Sequence, residues 1–475
     1  MYKDVREWLD RVDDLGELRR IDGADWNLEM GAITELLYED GHGVPPAVLF
    51  DNIPGYSAGY RALFGLTCSV KRMALTLGLE GAETGLDLVK AYRARLQDFR
   101  PIPPKEVDSG PILQNVVRGD DVNVLDFPVP LMHELDGGRY IGTACMVMTR
   151  DPDEGWVNFG TYRVMVHNEK SVAFYVSPGK HGALHRKKYF DRGEPCPVVV
   201  VVGTDPLLFL ASGNEVPYGL CEYDYAGGFR GEPVEVISGE YTGLPIPAHA
   251  EIVLEGEALP SERETEGPFG EWTGYYASAG RPEPVIRVKN IYHRDNPILT
   301  CARPSKPPSD YSFSKGVVKS GMIWDELEKA GVPGVTGVWC HEAGGGRLFN
   351  IVSIKQAYPG HVRQAGHVAS QCHAGAYLGR YVIVVDDDID PSNTFEVLWA
   401  LASRSDPAES IDIIKRAWSG PLDPRIPPGE KGHNSRAVID ACRPFEWIDD
   451  FPPVATSSPE LRARTLEKWG HLLSE

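Results

Sequence analysis

Val5, Trp8, Leu9 and Val12 recur at helical spacing, and Gly16 follows them. The pattern predicts an N-terminal amphipathic helix with a glycine just past its end. The apolar run Ala47–Phe50 predicts a short strand. Residues 72–99 read as helix again, weakened at Gly81 and Gly85. A proline-rich connector, Arg100–Pro104, closes this α/β opening.

Beyond it the period changes. Between residues 141 and 300, strand-type runs follow one another, bounded by Gly, Pro and Asp. They are Gly142–Met148, Trp156–Val166, Val172–Val176, Val198–Val202, Glu251–Leu254 and Val285–Tyr292. Closely spaced strands with few helical runs predict a barrel or sandwich, with the uniformly apolar Val198–Val202 at its centre. From about residue 305 the α/β texture returns. Tyr381–Val385 predicts a strand running into Asp386, Asp387 and Asp388. Asp390-Pro391-Ser392-Asn393 then caps a helix through Phe395, Leu398, Trp399 and Leu401. Leu461–Leu473 predicts a last helix with Leu466, Trp469, Leu472 and Leu473 on one side, and 420–435 reads as a loop.

Length allows two or three domains in 475 residues. The net charge of −20 argues against a nucleic-acid surface and an anionic membrane. An anionic substrate would need local cations. No apolar stretch is long enough to span a bilayer, and the polar start has no signal-peptide run. Eight scattered cysteines form no CxxC pair, which excludes zinc ribbons and fits reduced thiols in a cytoplasm.

Neither a GxGxxG nor a GxxxxGK[ST] cradle occurs. His133-Glu134 and His341-Glu342 lack the second His of HExxH. The run Asp386-x-Asp388-x-Asp390 begins like a calcium loop, but Pro391 and Val397 stand where a glycine and a ligand should be.

Four segments can carry chemistry. In Glu266-Gly267-Pro268-Phe269-Gly270-Glu271, Pro268 and Gly270 suit a type I turn. Such a turn would let both carboxylates face one cavity, where one is pushed to keep its proton. Otherwise they are two exposed loop acids. Arg163 lies among apolar neighbours in Trp156–Val166, with Gly160 as a place for a bulge. Buried, it needs a carboxylate, and Glu266 and Glu271 are the candidates. At a sheet edge it would be solvated. Asn158, His181 and Glu222 would suit Mn²⁺ or Mg²⁺ better than zinc, although spacing alone does not join them. Tyr358–Ala365 reads as a turn into a helix.

Taken in order, these and other pieces resemble the UbiD family of decarboxylases over most of the chain. The pieces are Asn158-(x4)-Arg163, Val216-Pro217-(x4)-Glu222-Tyr223, Ala226-Gly227-(x2)-Arg230-Gly231 and Glu251–Gly256. Glu266–Glu271-(x2)-Gly274-Tyr275, Pro359-Gly360-His361 and Val382–Asp388 follow. The resemblance implies an N-terminal α/β region (1–115), a flavin-reductase-like split β-barrel (116–303) and a C-terminal α/β dimerisation domain with a C-terminal helix (304–475). It implies prenylated FMN, made by a partner prenylated-flavin synthase, with Mn²⁺ (or Mg²⁺) and K⁺. Asn158, His181 and Glu222 fall on the metal ligands, with His185 the competitor for His181. Trp156, Ala211, Ser212 and Glu222 fall around the K⁺. Tyr162, Arg163, Ser212 and, in place of a phosphate-binding lysine, Arg436 fall on cofactor contacts. Arg163, Glu266 and Glu271 fall on the catalytic set.

The implied reaction is reversible decarboxylation of an α,β-unsaturated or (hetero)aromatic acid by a cytoplasmic homodimer or larger homo-oligomer. Glu271 would be the proton donor and Glu266 the partner of Arg163. The rivals are a scaffold subunit of a larger carboxylase and a flavin-free metal-dependent hydrolase. In Arg303–Tyr311, where the family's substrate pocket varies, Lys306 and Asp310 are expected to be solvent-facing.

Overall fold

The computed structural model describes every residue except 1, 40–43, 80, 215, 217, 428 and 473–475. Pro217 of the matched motifs and Leu473 of the last helix therefore lie outside the described residues.

The first helix is Val5–Asp14. Asp4 caps it by accepting from the Arg6 and Glu7 N–H groups, and Val5, Trp8, Leu9 and Val12 are its buried face. Gly16 follows at φ +71°, the left-handed conformation a glycine takes without cost. Residues 72–99 are not one weakened helix but two, Val70–Leu77 and Gly85–Gln97. Gly78 ends the first in the left-handed region, and a Thr84–Asp87 capping box starts the second. Strands Leu18–Asp22, Ala47–Asp51, Arg61–Phe64 and Ile298–Thr300 form a four-stranded sheet beside them. Its last strand arrives from beyond the next sheet.

That next sheet has nine strands and curls. Across it run Tyr140–Gly142, Val164–Asn168, Ser171–Ala173, Arg281–His293, Ile252–Glu266, Cys196–Val202, Cys145–Arg150 and Val157–Gly160, with Asn115–Arg118 paired to Arg281–His293. Its two ends are tied by residues 143–144 and 161–163, which pass from one edge to the other. The result is a split β-barrel. Cys196–Val202 lies well inside it, every residue but Pro197 buried, as its apolar run predicts. Two expected strands, Gly142–Met148 and Trp156–Val166, each break where the chain changes edge. Three helices, His181–Asp191, Pro206–Ser212 and Glu222–Arg230, stand among the strands; the sequence pattern missed them because they are short and weakly amphipathic. Gly227 and Gly228 let the proline-rich connector cross the last of these. A Cβ there would meet the Ile102 and Arg100 carbonyls at 2.4 and 2.3 Å.

The C-terminal part is a five-stranded sheet in the order Val335–Cys340, Phe349–Ile354, Tyr381–Asp386, His433–Ala441 and Ile411–Trp418. Helices Ser312–Lys329 and His361–Gln371 pack on it. Asn393 caps Thr394–Arg404, which turns Phe395, Leu398 and Trp399 outward and buries Val397 and Ala400. Pro459–Trp469 has no buried residue. The acidic edge serves ion pairing: Arg404 donates to Asp386 and twice to Asp388, each at 2.8 Å. All eight cysteines are unpaired. Among the described residues no helix is long and apolar enough to cross a membrane.

Asp386 and the Arg404 side chain are almost wholly buried. Arg443 Nε also donates to Asp386, at 3.1 Å, but its side chain is the more exposed of the two. Arg404→Met should therefore cost about 3 kcal/mol by removing the buried partner of Asp386, read as a lowered midpoint in urea unfolding. An unchanged midpoint would mean that Arg443 suffices.

Candidate active site

Arg163 comes from the 161–163 connection. Glu266 ends strand Ile252–Glu266, opposite Arg281, so residues 267–280 form the loop of this long hairpin and carry Glu271. The three meet. Arg163 Nε and Nη2 donate to the two oxygens of Glu266 at 2.7 and 2.8 Å, and Nη1 donates to Glu271 Oε1 at 2.6 Å. The strand stops at Glu266, which breaks the parity that would separate the glutamates. The expected type I turn does not close, however: the Gly270 N–H goes to the Asp136 carboxylate rather than back to the Gly267 carbonyl. Its support comes from another segment, where Gly137 N–H donates to the Pro268 carbonyl at 2.7 Å.

Glu266 is 0% exposed and Glu271 7%. One guanidinium cannot neutralise two carboxylates at this depth. Its paired bonds go to Glu266. Burial pushes the Glu271 carboxyl above its usual range, Arg163 opposes this, and the Glu266 charge adds to it. Burial works against the Arg163 charge as well, but the bonds and charges of both glutamates outweigh it. Tyr140 OH donates to Glu266 Oε1 at 3.0 Å. The Tyr175 and Phe269 rings lie 4.5 and 5.3 Å from Arg163 Cζ, where their faces attract its charge.

The same connection reaches a second cluster. Thr161 N–H donates to the Ser212 carbonyl at 3.0 Å, and the two hydroxyls lie 2.6 Å apart. Tyr162 packs its ring against Gly182, where a Cβ would stand 2.8 Å from it. Asn158, just before, donates to Glu222 Oε1, and Phe159 N–H donates to Glu222 Oε2 at 2.9 Å. Glu222 is 2% exposed, and burial pushes its carboxyl up to about 8. Asn158 Oδ1 is buried without a partner. An orphan amide oxygen beside a desolvated carboxylate fits a hard cation. His181 opens helix His181–Asp191 and packs edge-on to Trp156, its ring 4.8 Å away. His185, one turn on, shares a hydrogen with Thr149 Oγ1 at 2.9 Å, and burial pushes it down to about 4. Among the described residues no three His, Cys, Asp or Glu side chains gather in one place. The candidate set holds one His, one Glu and an amide. The Trp156 and Ala211 carbonyls accept from Asp151 and Asn214 N–H at 2.8 and 3.1 Å.

Arg436 lies apart. Its guanidinium donates to the carbonyls of Ser370, Gly375, Ala376 and Trp418 and to Asn434 Oδ1, so its donors are spent on the C-terminal domain itself. The solvent-facing expectation holds for Lys306, which is exposed and pairs with Glu39. It fails for Asp310, which is 3% exposed and accepts from Gly65 N–H, Arg303 N–H and Tyr38 OH. Those backbone donors repay the burial.

Tyr140 and Arg347 escaped the sequence reading. Arg347 follows three glycines and sets its guanidinium 4.7 Å over Trp272, where its charge bears on Glu271. That glycine run was the available signal.

The chain has counterparts among known proteins. Residues 9–92, 105–307 and 313–441 match the N-terminal, Rift-related and C-terminal domains of the 3-octaprenyl-4-hydroxybenzoate carboxy-lyase, UbiD. The chain is 32% identical to the pyrrole-2-carboxylic acid decarboxylase of Pseudomonas aeruginosa, over 98% of this chain and 97% of that protein. This protein therefore belongs to the UbiD family. The vanillic acid decarboxylase of Sedimentibacter hydroxybenzoicus, in an open form, superposes with a TM-score of 0.86 at 29% identity, covering all of both chains. The UbiD-class enzyme HmfF of Pelotomaculum thermopropionicum, solved with FMN, does so with 0.86 at 27%, covering 98% of this chain and all of that one. An evolved dimeric form of HmfF was solved with prFMN.

Glu271 also leaves a trace in stability. A raised folded value keeps its proton on while the unfolded chain loses it, so stability falls as pH rises from 4.5 through that raised value. Glu271→Gln should flatten this slope in urea unfolding followed against pH. An unchanged slope would place the raised carboxyl elsewhere.

Proposed function

We propose that the protein decarboxylates an α,β-unsaturated or (hetero)aromatic carboxylic acid, using prenylated FMN held with Mn²⁺ (or Mg²⁺) and K⁺. The observation behind this reading is the Arg163 guanidinium between two buried glutamates. The names of the relatives, which act on pyrrole-2-carboxylic and vanillic acids, support the substrate class. HmfF's binding of FMN and prFMN supports the cofactor.

Breaking the bond to CO₂ leaves an electron pair on carbon that no side chain can store, and a bound prenylated flavin would supply that sink. This chain's residues do the rest. Asn158, His181 and Glu222 would hold the divalent ion, with the Trp156, Ala211 and Ser212 carbonyls and Glu222 nearby for K⁺. Tyr162 and Ser212 would contact the cofactor. Arg163 faces the substrate carboxylate and is held by its two bonds to Glu266. Glu271, left with its proton, passes it to the carbon that loses CO₂ and is reprotonated from solvent. The balance is one proton consumed for each CO₂ released, and the reverse runs at high CO₂. A prenylated-flavin synthase would supply the cofactor, and the protein would act as a homodimer or larger homo-oligomer.

Glu271→Gln, co-produced with a prenylated-flavin synthase, should keep the wild-type visible spectrum and release no CO₂ from a panel of cinnamic, hydroxybenzoic and heteroaromatic acids. Full turnover would sink the assignment. Asn158→Ala should purify colourless and without divalent metal by elemental analysis. A normal flavin and metal content would refute the metal site.

A further inference from the structure

Glu271 sits in a long hairpin loop, yet its carboxyl is held 2.6 Å from Arg163 Nη1. The segment His133–Tyr140, which runs into the strand Tyr140–Gly142, provides the hold. Gly137 N–H donates to the Pro268 carbonyl at 2.7 Å, and Tyr140 OH reaches Glu266. Between them Asp136, its side chain shielded from solvent, gives Oδ1 to the Gly270 N–H at 3.0 Å. Its Oδ2 accepts from the His133 N–H at 3.2 Å and pairs with His133 Nδ1 at 2.9 Å. Tyr276, bridged to Gly270 across the loop, sets its ring edge-on to His133 with centroids 6.4 Å apart. Gly270 is the residue before Glu271.

The fit is close. A Cβ on Gly137 would stand 2.1 Å from the Gly267 carbonyl oxygen, and one on Gly270 would stand 2.8 Å from His133 Cε1. The two segments touch backbone to backbone, and a side chain at either glycine would part them. Past Glu271 the loop closes on itself, with Glu271 N–H on the Tyr275 carbonyl at 3.2 Å and Gly274 N–H on the Glu271 carbonyl at 2.9 Å. The Asp136–Gly270 bond joins residues far apart in sequence, so it does more than finish the local His133–Asp136 turn.

We propose that Asp136 is a positioning residue for Glu271, fixing the backbone at Gly270 so that the acid is aimed where its proton is needed. The proposal rests on the reading of Glu271 as proton donor. His133 braces the carboxylate, Tyr276 packs against His133, and Asp136 acts through the Gly270 backbone. A mis-aimed acid slows proton delivery while leaving substrate binding alone, and a misplacement of about 1 Å costs on the order of a hundredfold.

The test uses flavin-loaded enzyme and an acid that the wild type turns over. Asp136→Ala should lower kcat about a hundredfold, with KM, flavin absorbance and Tm essentially unchanged. Asp136→Asn keeps an oxygen for Gly270 and should recover most of kcat. If the alanine protein does not fold, Asp136→Thr, too short to span both partners, replaces it with the same expected split. Wild-type kcat in the alanine or threonine variant overturns the proposal. So does a loss shared among kcat, KM and Tm that Asn does not rescue. Glu271→Gln, assayed alongside, separates the two levels. If it is active, the proton-donor reading fails; if it is dead while Asp136→Ala is active, only the positioning role fails.

Discussion

One guanidinium stands between two buried carboxyl groups, and much of the site's arrangement answers to that imbalance. Arg163 gives two parallel bonds to Glu266 and a single bond to Glu271. The doubly bonded carboxylate is the better stabilised anion. The other is a carboxyl that burial and a like charge push toward keeping its proton. Two groups of the same chemistry acquire different properties from their surroundings alone.

Holding three such groups together requires the barrel's topology. Arg163 lies where the chain crosses between the sheet's two edges, Glu266 at the end of a long strand, and Glu271 in the loop beyond it. The crossing also carries Thr161 and Tyr162 to Ser212 and Gly182, so a shift at these contacts would be felt at Arg163 through three consecutive residues. From the C-terminal side, Gly345 packs on Trp272, next to Glu271, and Arg347 stacks on the same ring.

Local pattern recorded much of this fold. Trp8 and its neighbours fixed the first helix, and the Val198–Val202 run marked a strand deep in the barrel. The breaks at 143–144 and 161–163 were invisible, because apolar residues continue through them while the pairing partner changes. The strand Ile252–Glu266 was recognised only as far as Leu254, since its remainder is polar and largely exposed. Asp310 misled for the opposite reason: its type predicts exposure, but two backbone N–H groups and a phenol wait for it inside. At the site, spacing raised the glutamate pair and Arg163 only as options, and ordered motifs joined them. Arg436 followed an alignment by position alone. Its guanidinium closes the ends of helices in its own domain, which no local pattern reveals.

The central claim is that Glu271, and not Glu266, holds the proton. Infrared difference spectra between the wild type and each glutamine variant, taken near neutral pH, test it most directly. A protonated-carboxyl band separate from that of Glu222 should vanish in Glu271→Gln and persist in Glu266→Gln. A band lost with Glu266 and retained without Glu271 would contradict it.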